Sequence, residues 1–387
     1  MDYSFSKDQE MIRETVRKFL ENECPKERIR ELRSDEKGYD PEVWKKMVEL
    51  GWMGIVLPEE YDGTGGEYLD LLVILEEMGR NILPAPFFST VALCAMPIAE
   101  FGTKEQKEDI LPKIGVEGEI WTFALTETLA NYEASDVELS ATEQGDEYVL
   151  NGTKLFISYA HVADKYLVAA RTSKQQNPEQ GITIFIVDAK SSGLNVNIMP
   201  TAANDKRCEV IFNNVKVPKS NILGEKDKGW DVVEYILQNA TVLKCAEMSG
   251  GAEAVLELSN QYAKERIQFD NPIGAYQAIQ HRLVNMLIEV EGLKYLVYEA
   301  ASHINDGSPS KMLNSMAKTK ANKAYQRVCL DGVSIHGAIG FTDEMDIGLY
   351  HVRTKSYEFD LGGSDLHRER VASELEKSEL QFLKMWA

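Results

Sequence analysis

The sequence has few cysteines, and no two of them have the spacing of a metal or redox motif. The five cysteines are scattered along 387 residues, an odd number without a CxxC pair: Cys24, Cys94, Cys208, Cys245 and Cys329. This usage argues against a disulfide framework and against a zinc site. We therefore expect free thiols in a reducing compartment, the cytoplasm.

Long apolar runs and a secretion signal are also missing. The N-terminal segment MDYSFSKDQE has neither the basic region nor the apolar region of a signal peptide. The longest apolar stretch, residues 91–99, is too short to cross a bilayer and contains Pro97. We expect a cytoplasmic protein with no membrane insertion.

Positive charge is scarce relative to negative charge. Lysine and arginine total 42 against 62 aspartates and glutamates, and the net charge is −20. A surface of this sign repels phosphate backbones and anionic lipids, so nucleic-acid binding is not expected. The hydrophobic content of 44% nevertheless allows sizeable cores, and the length suggests two or three domains.

Common nucleotide-binding and hydrolase motifs are absent. The sequence contains no GxxxxGK[ST], GxGxxG, GxSxG or HExxH motif, and its six histidines form no metal-like cluster. The glycine-rich segment 62–66 lacks the Lys-Ser/Thr pair of a phosphate-binding loop, so we interpret it as a structural turn. These absences disfavour Walker-type and single-metal hydrolases, and no metal ligand is predicted.

Three zones of residue pattern divide the chain. Apolar residues at helical spacing occupy residues 1–118, short β-rich runs occupy 119–227, and helical spacing returns over 228–387. The zones predict a mostly α, α+β protein with an N-terminal helical domain, a middle antiparallel β-barrel or sandwich, and a C-terminal four-helix bundle.

Some elements can be placed within these zones. Asn151 and Gly152 stand between two β-rich runs and predict a hairpin turn. The pair Gly250-Gly251 predicts a close-packing point or a bend in residues 230–264, which form one or two helices. Further helices are predicted over residues 277–306, over residues 311–336 and from about residue 364 onward.

Two segments of the C-terminal zone carry residues that packing alone does not require. Glycines interrupt the helical pattern in residues 336–341, which indicates either close approach of the backbone to a ligand or a simple helix end. Arg266 lies at a predicted helix end, three residues before Phe269. An arginine there is suited to clamp a phosphate, or it is a solvated residue favoured by the helix dipole.

Six segments together resemble the acyl-CoA dehydrogenase family. Each is short, but they occur in the family's order and spacing, and they cover essentially the whole chain. They are FALTE (123–127), GDEYVLNGTK (145–154), VKVP (215–218), RIQF (266–269), QAIQ (277–280) and HGAIGF (336–341).

The resemblance implies that FAD is the cofactor, bound between the β domain and the C-terminal bundle of a homotetramer. Phe123, Leu125 and Thr126 match the segment that lines the flavin ring. Phe156 matches an aromatic residue at the ring, and Ser158 matches a hydroxyl that faces flavin N5. The residues that match contacts to a neighbouring subunit's FAD are Arg266, Phe269, Gln277, Ser334, His336, Gly337 and Ala338. Gly363 and Asp365 are also assigned to cofactor binding.

The resemblance also implies a reaction. A base removes a proton from the α-carbon of an acyl-CoA thioester, a hydride passes from the β-carbon to flavin N5, and an electron-transfer flavoprotein takes the electrons. The base should be a carboxylate in a dry pocket. The family's usual glutamate corresponds to Leu361, and its alternative position corresponds to Ala240.

Neither position is acidic, so a base in this chain would have to lie elsewhere. Asp360, next to the usual position, is the candidate base. Glu247 lies two helical turns beyond Ala240 on about the same face.

A second departure concerns the substrate. The family's Pro-Gly-Ala-Gly-Ser-Asp loop is replaced by the bulkier TLANYE at residues 128–133. Both departures favour a bulky, cyclic or otherwise non-standard acyl group. Two alternatives stay open: a partner subunit without a base in a hetero-oligomeric acyl-CoA dehydrogenase, and a flavin-dependent acyl-CoA oxidase.

Overall fold

A computed structural model describes residues 5–386, with side chains through residue 377. The chain forms two compact units, each described by itself below. The helical unit comprises Met1–Arg30, Tyr68–Leu83 and Thr241–Ala387, and the β unit comprises Glu31–Glu67 and Pro84–Ala240. Their limits differ from those of the three sequence zones, whose boundaries stay a prediction.

Helices dominate the described residues. In chain order they are α1 Lys7–Glu23, α2 Lys26–Ser34, α3 Pro41–Glu49, α4 Tyr68–Asn81, α5 Phe87–Thr90, α6 Met96–Phe101, α7 Lys104–Pro112, α8 Gly229–Glu265, α9 Gln277–Asn305, α10 Lys311–His336, α11 Ile347–Phe359 and α12 Ser364–Trp386. The order of helices, strands and helices confirms the predicted fold class. No helix within residues 5–386 combines the length and apolar character needed to cross a membrane.

Local sequence explains where several of these helices begin. Ser6 and Gln9 form a capping box at α1, with the Gln9 amide donating to Ser6 Oγ at 3.2 Å. Asp40 caps α3, and Pro41 occupies its first turn. The predicted helices at 277–306 and 311–336 are confirmed as α9 and α10, whereas α11 was not predicted.

Helix α8 crosses α4 at unusually short range. A Cβ added to Gly250 would lie 1.9 Å from the carbonyl oxygen of Glu76, and one added to Gly79 would lie 1.9 Å from that of Glu247. Glycine is required where two backbones approach this closely. Gly250 is therefore a close-packing point, and α8 is one continuous helix.

The β unit is built on one eight-stranded sheet. The strands are β1 Trp121–Ala124, β2 Ser140–Gln144, β3 Glu147–Ser158, β4 Lys165–Arg171, β5 Ile182–Asp188, β6 Leu194–Met199, β7 Arg207–Pro218 and β8 Ile222–Leu223. The sheet order is β6-β7-β3-β2-β4-β5-β8, and β1 pairs with β4. Most pairs are antiparallel, and β1–β4 and β2–β4 are parallel.

The hairpin predicted at Asn151 and Gly152 is wrong. Both residues lie inside β3, and the turn that joins β2 to β3 is at Gly145 and Asp146. The register with β7 shifts between Leu150 and Gly152, and Gly152 has a φ of 147°. The Asn-Gly pair therefore forms a β-bulge, because the long partner strand β7 continues past it.

Two further predictions concern the glycine-rich loop at residues 62–66 and the cysteines. The glycine-rich loop is a structural turn, since a Cβ on Gly63 would lie 2.1 Å from the Leu57 carbonyl oxygen. All five cysteines are buried, and none of them forms a disulfide.

Candidate active site

The segment that follows β1 is hydrogen-bonded to β3. Phe123 is in the strand, and Leu125 and Thr126 come directly after it; all three are buried. The Thr126 hydroxyl donates to the Leu155 carbonyl, and the Leu155 amide donates to the Thr126 carbonyl at 2.8 Å. The structure thus places these three predicted site residues in one fixed stretch of backbone.

A buried ion pair contacts the backbone of the same segment. Lys154 is fully buried, and its Nζ donates to the Leu125 carbonyl at 2.9 Å and to Glu127 Oε1 at 2.6 Å. Burial lowers the pKa of Lys154 to about 8, although the Glu127 carboxylate opposes this shift. Glu127 also accepts from the amides of Glu138 and Leu139, both at 3.0 Å. Sequence reasoning missed the pair, although a lysine in a β-rich run was a visible signal.

Phe156 and Ser158 lie at the end of β3. The Phe156 ring is 46% exposed, and its φ of 61° is uncommon for an aromatic residue. The register shift between Lys154 and Ile157 accounts for that conformation. Ser158 Oγ accepts a hydrogen bond from Arg207 at 2.7 Å, and Thr122 Oγ1 donates to the Ser158 carbonyl at 2.7 Å. Ser158 is thus held beside β1. Arg207 was not predicted from the sequence as the hydrogen-bond partner of Ser158.

In the helical unit, Arg266 and Phe269 belong to a small exposed hairpin. Strand β9 Ile267–Gln268 pairs with β10 Asn271–Pro272. The two turn residues, Phe269 and Asp270, have φ values of 53° and 65°, and Phe269 is 86% exposed. The Phe269 ring meets the Tyr276 ring edge-on at a centroid distance of 6.5 Å, but most of its surface stays exposed. Gln277 begins α9, after a short 3-10 helix at Ile273–Ala275 that follows the hairpin.

The His336–Ala338 segment lies close to the same hairpin. The buried His336 ring stacks on Tyr262 at 4.3 Å, and the Tyr262 carbonyl accepts from the Arg266 amide at 2.8 Å. Burial lowers the pKa of His336. Gly337 has a φ of 69°, and a Cβ there would meet nothing within 4 Å. Ser334, Gly337 and Ala338 are exposed, so the backbone here is open to a ligand.

The turn between α11 and α12 carries the remaining candidates. Leu361 is buried with a φ of 60°, and its carbonyl lies 3.0 Å from His367 Nε2. The His367 Nδ1 atom lies 3.2 Å from Ser315 Oγ, and burial lowers the pKa of His367 to about 3. Gly363 is part of this turn. Asp365 is exposed in the first turn of α12 and pairs with Arg368.

Asp360 lies among buried lysines. Its Oδ2 is 3.8 Å from the Nζ of Lys244, which also pairs with Glu247. The Nζ of Lys318 donates to the carbonyls of Tyr357 at 2.8 Å and Glu358 at 3.1 Å, just before Asp360. Sequence reasoning named Asp360 and Glu247 but neither lysine.

The chain matches family models for three successive domains. The chain matches the N-terminal domain model of acyl-CoA dehydrogenases over residues 6–118, the middle-domain model over 122–215 and the C-terminal-domain model over 227–376. Together these matches span most of the sequence.

Individual relatives are similar over nearly their full length. The chain is 33% identical to the "Probable acyl-CoA dehydrogenase YngJ" of Bacillus subtilis, covering 97% of this chain and 100% of that protein. It is 33% identical to the caffeyl-CoA reductase-Etf complex subunit CarC of Acetobacterium woodii, covering 89% and 91%. The structure of butyryl-CoA dehydrogenase from Megasphaera elsdenii matches with a TM-score of 0.90 at 30% identity, covering 97% and 100%.

The fold and these matches define a flavoprotein oxidoreductase with FAD as its cofactor. The chain belongs to the acyl-CoA dehydrogenase family.

Proposed function

We propose that the protein dehydrogenates a bulky, cyclic or otherwise non-standard acyl-CoA with Asp360 as the base. The observation that carries this proposal is the position of Asp360, whose carboxylate is held 3.8 Å from the buried ammonium of Lys244. It is partly buried and directly precedes Leu361, the residue at the family's usual glutamate position. An ionised, partly desolvated carboxylate can accept the α-proton of a thioester.

The groups predicted to hold FAD have suitable chemistry in both units. In the β unit, the half-exposed ring of Phe156 and the Ser158 hydroxyl suit the flavin ring. In the helical unit, the exposed Arg266 guanidinium and the open backbone at Gly337 suit a diphosphate. FAD, when bound, supplies the acceptor for the β-hydride. Phe123, Leu125 and Thr126 complete the proposed flavin-ring segment, and Gln277, Ser334, His336, Ala338, Gly363 and Asp365 complete the proposed cofactor contacts.

The shape of two segments supports a non-standard acyl group. Aspartate is one methylene shorter than glutamate. Asp360 would therefore have to reach the α-carbon of the acyl group from a different point of the turn. In the β unit, Ala130 and Tyr132 of the TLANYE loop have φ values of 53° and 54°. The same loop also has side chains at the two positions where the family's loop has glycines, and one of them, Leu129, is 66% exposed.

Two partners are part of the proposal. One relative is a subunit of a complex with an electron-transfer flavoprotein, which supports such a protein as the electron acceptor here. The hairpin and α9 expose a set of apolar side chains that a second copy would cover in a homotetramer. They are Ile267, Phe269, Val284, Leu287, Ile288 and Tyr295.

The test is an anaerobic titration of the FAD-loaded protein with linear, branched, aromatic and cyclic acyl-CoAs, followed by flavin absorbance. We expect one of the non-standard classes to bleach the flavin fastest. Asp360→Asn should slow bleaching by about 10² to 10⁴-fold, the usual range for a lost general base. Asp109→Asn, at an exposed ion pair on α7, is the matched control and should bleach at the wild-type rate.

Other outcomes distinguish the alternatives. A flavin that no thioester bleaches would contradict the proposal and favour the partner subunit without a base, for which the non-acidic, buried Leu361 is the supporting observation. Full-rate bleaching by Asp360→Asn would remove Asp360 as the base. Rapid reoxidation in air would favour the oxidase.

A further inference from the structure

Lys244 links the two positions at which the family keeps its base. It lies on α8 one helical turn beyond Ala240, and only 5% of its side chain is exposed. Its Nζ pairs with Glu247 and lies 3.8 Å from Asp360 Oδ2, and it lies 4.3 Å from the centroid of the Tyr357 ring. One buried ammonium thus faces two carboxylates.

The backbone that carries Asp360 is fixed independently of Lys244. Lys318, fully buried on α10, donates to the carbonyls of Tyr357 and Glu358 and to Asn322 Oδ1 at 2.6 Å. His367 on α12 contacts the Leu361 carbonyl at 3.0 Å on the other side of Asp360. Lys318 and His367 thus hold the backbone of the turn through contacts that Lys244 does not make, whereas Lys244 acts on the Asp360 carboxylate.

Charged and titratable groups on four helices surround the turn that carries this carboxylate. Lys244 and Lys318 both add positive charge near it, and Glu247 offsets part of the Lys244 charge. The groups are Lys244 and Glu247 on α8, Lys318 on α10, Tyr357 and Glu358 on α11, and His367 on α12.

We propose that Lys244 is a positioning residue: its ammonium orients the Asp360 carboxylate and keeps it ionised, and Glu247 competes for the same ammonium. This inference deepens the proposed function, because it concerns the proposed base. A cation within about 4–6 Å favours the charged form of a carboxylate. Removing the ammonium should let Asp360 take up a proton at higher pH, and removing the Glu247 charge should have the opposite effect.

The opposite signs separate this role from simple structural support. A residue that only stabilises the fold would not move protonation of Asp360 up in one variant and down in another. The variants are Lys244→Met, which removes the charge at similar length, and Glu247→Gln, which keeps the shape. Lys244→Arg retains the charge and is the matched control.

The primary measurement is labelling of Asp360 by a water-soluble carbodiimide and an amine, which reacts with the protonated carboxyl. Peptide mass spectrometry reads the labelled fraction against pH in the FAD-loaded protein without substrate. We expect the labelling midpoint to rise by about one pH unit in Lys244→Met, the lower end of the range for a nearby opposite charge. It should fall in Glu247→Gln and stay unchanged in Lys244→Arg.

The acid limb of the flavin-reduction rate should move in the same directions. If Lys244→Met does not fold, the double variant Lys244→Met/Glu247→Gln is compared with Glu247→Gln and should again show the higher midpoint. Equal midpoints in either comparison, or a shift of the same sign in both single variants, would overturn the inference. Labelling needs no substrate, so a flavin that no acyl-CoA bleaches would refute only the proposed function.

Discussion

Each unit contains a fully buried lysine that donates hydrogen bonds to a backbone segment of the candidate site. The two lysines differ in the kind of partner that they bind. In the β unit, Lys154 pairs with the Glu127 carboxylate and one carbonyl. In the helical unit, the hydrogen bonds of Lys318 go to two carbonyls and an amide oxygen. Burial lowers the pKa of both lysines to about 8.

The difference shows how a buried charge can position backbone in two ways. Lys154 and Glu127 form an ion pair, so loss of either partner leaves an uncompensated charge inside the β unit. Lys318 acts on the C-terminal end of α11, where free carbonyls carry partial negative charge. Its loss leaves carbonyls without a donor, while the nearby Asp360 carboxylate keeps Lys244 as a cation. The two sites should therefore differ in their tolerance of neutral substitution.

The largest effect is expected for Lys154→Met. It leaves the Glu127 carboxylate, only 10% exposed, without its cation. Breaking a buried pair in this way costs about 3–5 kcal/mol, so the free energy of unfolding of the β unit should fall by that amount. Hydrogen exchange of peptides covering residues 121–158 would measure it.

The control for this variant is Lys154→Met/Glu127→Gln, which removes both charges and should recover much of the stability. A single variant as stable as the wild type would show that Glu127 does not need the ammonium.

A smaller effect is expected for Lys318→Met. The carbonyls of Tyr357 and Glu358 lose a charged donor, and a hydrogen bond to a charged group contributes about 1.5–3 kcal/mol. We expect a loss of about 2 kcal/mol, seen as faster hydrogen exchange in residues 353–364. A loss as large as that of Lys154→Met would erase the distinction between the two lysines.

The third prediction concerns acid. Burial lowers the pKa of His367 to about 3, below the ordinary value near 6.5. Between these values the unfolded chain binds the proton and the folded chain does not, so His367 destabilises the helical unit as pH falls. The contribution is at most about 1.4 kcal/mol per pH unit. His367→Gln should flatten the loss of stability between pH 6.5 and 4, followed by urea unfolding; an unchanged slope would contradict it.

The smallest effects are expected at lysine pairs that are partly exposed to solvent. Lys165 lies 2.9 Å from Asp188 in the β unit, and Lys320 pairs with Glu289 in the helical unit. Exposed pairs contribute about 0–1 kcal/mol, so Lys165→Met and Lys320→Met should change stability by less than either buried substitution. Urea unfolding of the four methionine variants side by side would test the order.

Much of the fold could be predicted because its signals are local. Helical periodicity placed α9 within one residue of its end and α10 at both ends, since each helix repeats its own apolar pattern. The Asn-Gly turn signal failed at residues 151 and 152 because the pairing of β3 with β7 outweighed the turn preference of two residues.

The sequence by itself determined the fold class, the family, and a short set of candidate residues that includes Asp360 and Glu247. Only the tertiary structure showed that Lys244 faces both of these carboxylates and that Lys318 and His367 hold the turn beside them. The physical reason is that helix and strand preferences act over a few residues. Charge pairing in a dry interior depends on which distant segments pack together.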